Sequence, residues 1–454
     1  MDIYVIDPFK SAEPHFPVIG IISAYRSVLW NNQLYGLGYF QLVVPATDEN
    51  LANLDVGRFL VKSDDIEEMA YTTFYNNAMV IRKVELNYDA DNGYMLTVTG
   101  KSIKDILSQR IIWYQISETN IPLTSLIYSV LYQNVTDPVG HANNKVLYYE
   151  DVVSDLRDEL DNLTDAKNDA YDDWQAAIDE FGPESAQAIS CKERYDALVE
   201  ACENKQIEID EANDQVTFWM EQQLLMASRE MPYVDAGLVD IEGFTPPRVT
   251  VQLHGENIGE WMEDICTENE LGWYALLTSN NIQFGFVVGQ NRSSTVIFSP
   301  EFDNLKTSSY VKSQETLKNG GQCGGEGEGE KQTVVKIVVP SSGVQNIKQH
   351  LFEAYIDGSE VSSNDGIITE SAYKNMLKQY GLTEIIQYGL VETFTGEIET
   401  NGIFKLGIDY KMGDIVTVSN EKGMTAPARL IETVFVEDEN GTQTQATFDE
   451  MEVE

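Results

Sequence analysis

VIRKVELNYDADNGYMLTVTGKSIKDILSQRIIW, residues 80–113, predicts two strands, a turn and a helix in the N-terminal part of the chain. Two segments, AMVIRKVEL and GYMLTVTG, are rich in β-branched and aromatic residues, and the turn signal Asp91-Asn92-Gly93 separates them. They predict a β-hairpin. The following KSIKDILSQRIIW predicts a helix, because its apolar residues recur at helical spacing. These residues are Ile103, Ile106, Leu107 and Ile111.

Short apolar runs of the same kind precede this hairpin: IYVIDPF, FPVIGIISAYRSVLW, FQLVVPA and RFLVK, with turn residues at Gly36 and Gly38. We therefore expect residues 1 to about 110 to form a small barrel or sandwich closed by the helix. Further along, RVTVQLHG predicts a strand, ENIGEWMEDICTENEL an amphipathic helix, and GWYALLTSNNIQFGFVVG a hairpin that turns at Asn280-Asn281. From Thr333 onward strands dominate again, and the helix SAYKNMLKQYGL interrupts them.

The middle of the chain, about 150–228, has a different pattern. Apolar residues recur at heptad-like spacing on two successive segments, and Gly182-Pro183 separates them. Pro183 suits the first turn of a new helix. The pattern predicts a long antiparallel helical hairpin with acidic outer faces, and with Cys191 and Cys202 as buried thiols on its seam. The seam residues are Leu156, Leu160, Leu163, Ala170, Trp174, Ala177 and Phe181, then Ala188, Cys191, Tyr195, Leu198, Cys202, Ile209, Ala212, Val216 and Trp219.

These patterns define a β-rich α+β protein with four regions. A chain of 454 residues is too long for one hydrophobic core, so several domains are expected. The predicted boundaries are 1–115 for the first β domain, 116–235 for a helical region, 236–310 for a small α+β domain, and 311–454 for a second β domain with a closing C-terminal hairpin.

The net charge of −44 limits the functions that the chain can have. Direct binding of nucleic acid is not expected, since phosphates need Lys and Arg. No apolar stretch reaches the length of about 20 residues that a membrane span needs. The N-terminus MDIYVIDPF carries acids where a signal peptide would carry a basic region. Four cysteines without paired-ligand spacing fit folding in a reducing cytoplasm.

Candidate chemical sites are weak, and we predict no catalytic residue, cofactor or metal. The four histidines, His15, His141, His254 and His350, lie far apart and lack zinc-type spacing. A G-x-S-x-G nucleophile motif is absent. Cys323 lacks a nearby basic residue that would lower its pKa, and Cys266 is expected to pack in its helix. A glycosidase pair of carboxylates cannot be singled out among 74 acids.

The run NGGQCGGEGEGEKQTVVKIVV, residues 319–339, is the most unusual stretch. It is not a nucleotide loop, because the Lys-Ser/Thr pair of a P-loop is missing and three carboxylates would repel phosphate. If the run is extended, Glu326, Glu328 and Glu330 point to one side and the glycines to the other. A surface loop is the alternative interpretation, and a calcium site is a second one.

Four stretches, taken in order, resemble the siphophage tail-hub proteins of the ReqiPepy-like group, which are related to the N-terminal region of tail-associated lysins and to baseplate hub proteins. The stretches are SVLWNNQLYGLGYFQLVVPATDEN (27–50), VIRKVELNYDADNGYMLTVTGKSIKDILSQRIIW (80–113), VIFSPEFDNLKTSSYVKS (296–313) and YKMGDIVTVSNEKGMTAPARLIETV (410–434). The resemblance covers most of the chain except the helical hairpin, which looks like an insertion.

The resemblance implies a structural role. Proteins of this type form a homotrimer at the end of the tail tube, in which two tube-type β-barrel domains per subunit make a pseudo-six-fold ring. The implied partners are the distal tail protein, the tail tube and a central fibre or spike, with DNA passing through without specific binding. The implied location is the virion tail tip or baseplate, after assembly in the host cytoplasm. Residues 1–110 and about 311–454 would build the ring, with 236–310 outside it.

Two other functions remain open at this stage. One is a receptor- or glycan-binding tail fibre protein, and the other is a peptidoglycan-degrading tail-associated lysin. Because the sequence stops at Glu454, soon after the closing hairpin, we expect no enzyme domain and no enzymatic activity. Three copies would carry a charge of −132, three times −44. We expect Glu326, Glu328 and Glu330 to face the channel or its mouth, where acidic side chains would repel DNA.

Overall fold

The structure is a computed structural model. It describes residues 1–8, 15–69, 72–91, 93–231, 233–235, 245–327, 329–339, 351–363, 368–386, 388–399, 402–420, 422 and 425–450. Two compact units are formed: one contains Met1–Leu131 together with Tyr233–Glu454, and the other is Tyr132–Pro232.

Six α-helices are present in the described residues: α1 Asp48–Asn53, α2 Leu123–Leu131, α3 Pro138–Phe181, α4 Ala186–Ala227, α5 Ile258–Glu268 and α6 Glu370–Ile386. Short 3₁₀ helices lie at Ser63–Asp65, Ile103–Gln109, Pro300–Phe302 and Gly329–Lys331, and a π-helical turn lies at Tyr132–Thr136.

The strands, in chain order, are β1 Ile3–Ile6, β2 Val18–Ile22, β3 Ser27–Gln33, β4 Tyr39–Pro45, β5 Phe59–Lys62, β6 Ile66–Met69, β7 Thr72–Tyr75, β8 Met79–Asp89, β9 Gly93–Ser102, β10 Ile116–Pro122, β11 Val234–Asp235, β12 Arg248–Leu253, β13 Gly272–Thr278, β14 Ile282–Val287, β15 Ile297–Phe298, β16 Leu305–Ser313, β17 Gly320–Gly324, β18 Val334–Val338, β19 Glu353–Asp357, β20 Val391–Ile398, β21 Ile415–Ser419, β22 Thr425–Asp438 and β23 Gly441–Glu450.

One large sheet contains strands from both ends of the chain. Its main path runs β16-β20-β23-β22-β3-β4-β9-β8-β5-β1-β2, and β21 pairs with β22 and β15 beside that path. The β8–β9 hairpin predicted from the sequence is present, in register from Met79 opposite Ser102 to Asp89 opposite Gly93. The two halves meet where β22 pairs with β3. The predicted β-rich α+β class is therefore confirmed.

Two separate hydrophobic cores lie along this sheet. The N-terminal core is built around Trp30, Phe40 and Leu42, and the C-terminal core around Phe298, Tyr410 and Phe448. All six side chains are almost completely buried. Each half of the sheet thus has its own apolar interior, although the strands of the two halves are hydrogen-bonded to each other.

The two separate closed barrels expected at the chain ends are not seen among the described strands. The strand path is open, with β16 at one end and β2 at the other. One cause is the length of β22, whose 14 residues pair with β21 and β23 and also with β3. The C-terminal strands therefore continue the N-terminal sheet.

The predicted helix after the hairpin is a short 3₁₀ helix, Ile103–Gln109. Ile103 and Leu107 are buried as expected, but Ile111 is 39% exposed. The helical face was wrong because Lys104 and Asp105 are also buried, and both make polar contacts that hold this segment in place. The Ser102 hydroxyl caps its start by accepting from the Lys104 N–H.

The α+β elements predicted between residues 236 and 310 are present. The strand β12, the helix α5 and the hairpin β13–β14 occur in that order, and Cys266 is buried in α5. They also pair with N-terminal strands, since β12 pairs with β10 and β13 pairs with β7. The N–H of Trp273 donates to the carbonyl of Leu34, which connects this hairpin to the loop after β3.

A second small α+β unit lies within the region predicted as one β domain, 311–454. The sheet β18-β17-β19 packs against α6 around Cys323, Ile337 and Leu377. Gly381 permits the close approach of α6, because a Cβ there would lie 2.7 Å from the Cβ of Cys323. This unit lies in sequence between β16 and β20, which pair directly with each other.

The unit 132–232 contains the predicted helical hairpin, named here the helical arm. Arg194 contacts Asp173 at 3.1 Å and Lys205 contacts Glu159 at 2.8 Å, which shows that α3 and α4 run antiparallel. Helix α3 begins at Pro138, earlier than predicted, and α4 begins after its N-cap Ser185, so Pro183 lies in the connection. None of the helices in the described residues has both the length and the hydropathy of a membrane span.

The predicted seam of the arm is correct for six of its members. Ala170, Ala177, Ala188, Ile209, Ala212 and Trp219 are buried. Phe181 is 52% exposed, because it ends α3 beside the connection. Cys191 and Cys202 are only half-buried.

Candidate assembly surface

A carboxylate joins the two halves of the large sheet. Glu432 on β22 accepts hydrogen bonds from Asn31 Nδ2 at 2.7 Å and Gln33 Nε2 at 3.2 Å, both on β3. Its other oxygen accepts from the Thr447 hydroxyl on β23 at 2.8 Å. Asn31 is fully buried, so its amide donor requires this partner. The N-terminal and C-terminal strands are held together by specific polar contacts as well as by the sheet ladder.

Lys104 supports the loop that leads from β3 to β4. Its ammonium group donates to the carbonyls of Gln33 and Gly36, each at 2.9 Å, and lies 4.5 Å from the centre of the Trp273 ring. The side chain is buried, and burial lowers the pKa of Lys104 to about 7. A neutral amine retains two N–H donors for the same carbonyls. Lys104 therefore fixes the loop in either protonation state.

Two buried aspartates lie outside the strands, Asp105 in the 3₁₀ helix after β9 and Asp414 just before β21. Asp105 accepts from Arg82 Nε at 2.6 Å and lies 3.4 Å from Lys101 Nζ. Asp414 accepts from Arg292 Nε at 2.8 Å and from the N–H of Gln290 at 2.7 Å. These pairs satisfy the carboxylates, so they stabilise the fold and are not candidates for catalysis.

The outer edge of β8 is an exposed template for strand pairing. From Arg82 to Asp89, its only strand partner in the described part of the chain is β9, because β5 pairs only with Met79 and Val80. Such an edge presents backbone N–H and C=O groups to another strand.

The tip of the β8–β9 hairpin is apolar on one face. Tyr88 lies opposite Tyr94, and their ring centres are 4.9 Å apart. Tyr88 is 67% exposed, Tyr94 61% and Leu86 54%. Leu86 lies opposite Leu96, which belongs to the N-terminal core, so the core-facing side of the ribbon continues outward to this tip. We name Leu86, Tyr88, Tyr94 and the β8 edge the hairpin surface.

A second apolar edge lies at the N-terminal end of the sheet. The terminal strand β2 pairs with β1 alone among the described strands, and Val18 and Ile21 on it are 40% and 48% exposed. Exposed apolar edges of this kind are typical of surfaces that become buried in an assembly.

The predicted acidic run does not form an extended strand. Strand β17 ends at Gly324, Gly327 has a φ of 100°, and a 3₁₀ turn covers Gly329–Lys331. The period-two arrangement of the three glutamates is therefore wrong. Glu328 and the side chain of Glu330 lie outside the described residues, so their orientation stays a prediction.

Glu326 has a local structural role. Its Oε2 accepts from the Ser363 hydroxyl at 2.6 Å, while its Oε1 accepts from the Ser363 N–H at 2.7 Å and the Ser362 hydroxyl at 2.9 Å. These bonds lower the pKa of Glu326 below its ordinary value. The adjacent Cys323 is fully buried, and burial raises its pKa to about 11, as expected for a packed thiol.

Sequence patterns did not single out Lys104, Glu432 or the hairpin surface. Lys104 lies within a segment whose helical period was misassigned, and the two partners of Glu432 on β3 are about 400 positions away. The hairpin surface was indicated in the sequence only by Tyr88 and Tyr94. These two residues flank the predicted turn and follow the apolar alternation of β8 and β9.

A family comparison assigns the chain. Residues 3–144 and 211–448, together 380 of 454, match the family described as Siphovirus ReqiPepy6 Gp37-like protein. The chain belongs to this family. The Gp37-like family consists of siphovirus tail proteins, so the resemblance found in the sequence is confirmed. The unmatched internal segment, residues 145–210, lies in the helical arm.

Other comparisons are more distant. No protein with a curated function matches the sequence. Among solved structures, a 43 kDa tail protein of prophage MuSo2 from Shewanella oneidensis is 11% identical with a TM-score of 0.47, covering 99% of this chain and 98% of that chain. A tail protein from Neisseria meningitidis MC58 is 9% identical with a TM-score of 0.45, covering 99% and 96%.

The third structure is the E. coli c3393 protein, described as a type VI secretion system component with structural similarity to the T4 tail proteins gp27 and gp5. It is 7% identical with a TM-score of 0.37, covering 94% of this chain and 74% of that chain. At these scores the three likenesses are too distant to carry a conclusion about the Gp37-like chain.

Proposed function

We propose that this chain is the hub subunit of a siphophage tail tip, which assembles as a homotrimeric ring at the end of the tail tube. The observation that carries the proposal is the single sheet built from both chain ends, with an apolar edge at β2 and the hairpin surface at β8–β9. Two different edges on one chain suit a head-to-tail contact, which closes into a ring when the rotation permits.

The two cores support two tube-type domains per subunit. One domain is built around the N-terminal core and the other around the C-terminal core. A trimer then contains six such domains. Pairing of strands between subunits would complete the curved wall and cover the edges that the single chain leaves open. The unit formed by β18, β17, β19 and α6 lies in sequence within the second domain. In the proposed assembly it lies outside the ring.

Charge supports passage of DNA through the ring. Three chains carry −132, three times −44, and a wall of this sign repels phosphates instead of retaining them. Glu328 and Glu330 face the channel or its mouth in this proposal. Glu326 contributes by holding the turn that carries them, through its bonds to Ser362 and Ser363.

The role in the particle is structural. The ring joins the distal tail protein and tail tube on one side to a central fibre or spike on the other, in the virion, after assembly in the host cytoplasm. The buried arginine-paired aspartates and the buried thiols contribute to folding and give no reason to propose catalysis.

The native mass of the purified full-length chain tests this proposal. A trimer has three times the 51.0 kDa of one chain, about 153 kDa. A mass of one chain at every concentration, together with binding to glycans, would instead support a receptor-binding protein. Release of fragments from purified cell walls would support a lysin.

A further inference from the structure

The helical arm carries an open cleft between its two helices, with a volume of about 450 Å³. The cleft lies between the N-terminal half of α3 and the C-terminal half of α4. Apolar or aromatic side chains form its floor: Tyr149, Val152 and Leu156 from α3 and Ala212 from α4. Polar side chains of α4 form its rim: Glu208, Glu211, Asp214 and Gln215.

The rim is acidic and lies in an acidic environment. Lys205 Nζ lies 2.6 Å from Glu208 Oε2 and 2.8 Å from Glu159 Oε2, so one ammonium group pairs with two carboxylates there. Glu211 and Asp214 are exposed and make no ion pair within the described residues. The unit 132–232 contains 24 acidic and 7 basic residues, a net charge of −17. The cleft therefore favours a cationic occupant.

Apolar anchors extend beyond the rim. Ile207 lies one helical turn before Glu211, and Phe218 lies one turn after Asp214. Ile207 is 55% exposed and Phe218 42%. An occupant with both leucine-like and lysine-like side chains would cover these apolar groups and neutralise the carboxylates between them.

The charge also decides between candidate occupants. A second copy of the arm would bring another −17 against the first, which repels it. A divalent metal ion is not favoured, because no group of three or more His, Cys, Asp or Glu in the described residues could hold one. Lysine and arginine instead place their aliphatic stems on an apolar floor and their charges on a carboxylate rim.

We propose that the cleft between α3 and α4 binds a basic amphipathic helix of a partner protein. The mode is that of a helix in a groove, with apolar anchors on the Tyr149–Leu156 floor and cations at Glu211 and Asp214. The family match omits residues 145–210, which include Tyr149, Val152 and Leu156 of the floor, whereas Ala212 and the rim residues Glu211 and Asp214 lie within the match. The inference holds whether or not the trimeric ring forms.

The test uses the full-length protein and a synthetic helical peptide with leucine and lysine at heptad spacing. Its counterpart with glutamate in place of lysine is the negative probe. Calorimetry should show that the lysine peptide binds, that binding weakens as salt is raised, and that the glutamate peptide does not bind. Failure of the lysine peptide to bind would overturn the proposal.

Two matched double variants locate the site. Glu211→Gln with Asp214→Asn should weaken binding at least about tenfold, whereas Glu200→Gln with Glu203→Gln should change it less than about twofold. Both pairs lie exposed on α4, and both remove two charges. Equal weakening by the two pairs would show diffuse attraction and overturn the proposal.

A third variant tests the apolar floor without changing charge. Val152→Trp fills the cleft and should also weaken binding of the peptide at least about tenfold, with the helical circular dichroism unchanged. Unchanged binding would contradict the assigned floor. A change in native mass on replacing Glu211 and Asp214 would show that another copy of the chain occupies the cleft, and would also overturn the proposal.

Discussion

Asn31 and Glu432 are 401 positions apart in the sequence, yet Asn31 Nδ2 donates a hydrogen bond of 2.7 Å to Glu432 Oε1. Asn31 is fully buried on β3, and Glu432 lies on β22 at the point where the register with β23 shifts. The two ends of the chain therefore fold as one sheet, and neither half is expected to keep its native stability when the other is removed.

Replacing Glu432 should strongly weaken the contact between β22 and β3. Glu432→Ala leaves the donors of Asn31, Gln33 and Thr447 without their acceptor, and we expect a loss of about 2–4 kcal/mol in the free energy of unfolding. Urea denaturation followed by tryptophan fluorescence measures it. Glu439→Ala, an exposed residue at the β22–β23 turn, should change stability by less than about 0.5 kcal/mol. If the two variants lost equal stability, the stabilising role assigned to Glu432 would be wrong.

Lys104 should be required for the loop after β3. Lys104→Met removes a buried amine but leaves the carbonyls of Gln33 and Gly36 without donors, with an expected loss of about 1–3 kcal/mol. Lys83→Met, at an exposed position, is the control. The effect should also depend on pH. Burial lowers the pKa of Lys104 from 10.5 to about 7, so above pH 7 the folded state binds fewer protons than the unfolded state.

The direction in which the stability changes with pH follows from the number of protons bound by the folded and unfolded states. Because the unfolded state binds more protons, the contribution of Lys104 to stability grows as pH rises from 7 toward 9 and is lost as pH falls through 7. The difference in free energy of unfolding between the wild type and Lys104→Met should therefore increase over this range. A difference that is constant from pH 7 to 9 would contradict the assigned pKa.

Glu268 should show the opposite slope. Burial, together with the nearby Asp264 and Glu384, raises the pKa of Glu268 from 4.5 to about 7. The folded state then binds more protons than the unfolded state between pH 4.5 and 7, so this contribution falls as pH rises through that window. Glu268→Gln should gain about 1–2 kcal/mol relative to the wild type at pH 8 and little at pH 5. The exposed Glu301→Gln should gain nothing at either pH, and thermal unfolding in buffers of matched salt measures both.

The hairpin surface should control assembly. Tyr88→Ser with Tyr94→Ser removes two exposed rings that contact each other, and we expect the trimer to dissociate at least about tenfold more readily. Sedimentation velocity across a concentration series measures this. Tyr355→Ser, which removes a ring that is 56% exposed on β19, should leave assembly unchanged. If both variants assemble like the wild type, the subunit contact lies elsewhere.

The acidic run should affect DNA passage. Glu328→Lys with Glu330→Lys would place six cations around a trimeric channel, and we expect slower DNA ejection with the ring intact. Ejection can be followed in purified virions by fluorescence of a dye that binds the released DNA. Lys336→Glu, an exposed position on β18, tests whether any change of charge nearby has an effect. Unaltered ejection by the double lysine variant would remove these residues from the channel.

Local sequence patterns were sufficient for most individual elements. The β8–β9 hairpin, the α5–β13–β14 segment and the two long helices of the arm all follow from residue period and turn signals. Patterns failed where polar residues were buried. Lys104 and Asp105 are both buried, so the segment at 103–109 cannot present the single apolar face that its isoleucines suggested.

Long-range pairing was not predictable from any local stretch. The β22–β3 ladder joins positions near residue 30 to positions near residue 435, and β16 pairs with β20 across the small unit that separates them. The acidic run is not extended because Gly327 and Gly329 adopt positive φ angles of 100° and 58°, which its sequence pattern does not reveal.

Electron cryomicroscopy of the assembled tail tip can locate this chain directly. If the chain forms the proposed trimeric ring, the density will show three copies around the tail axis, with the hairpin surface at the contact between neighbouring subunits and an open bore for DNA. Density that places the chain away from the axis, as a single peripheral decoration, would contradict it.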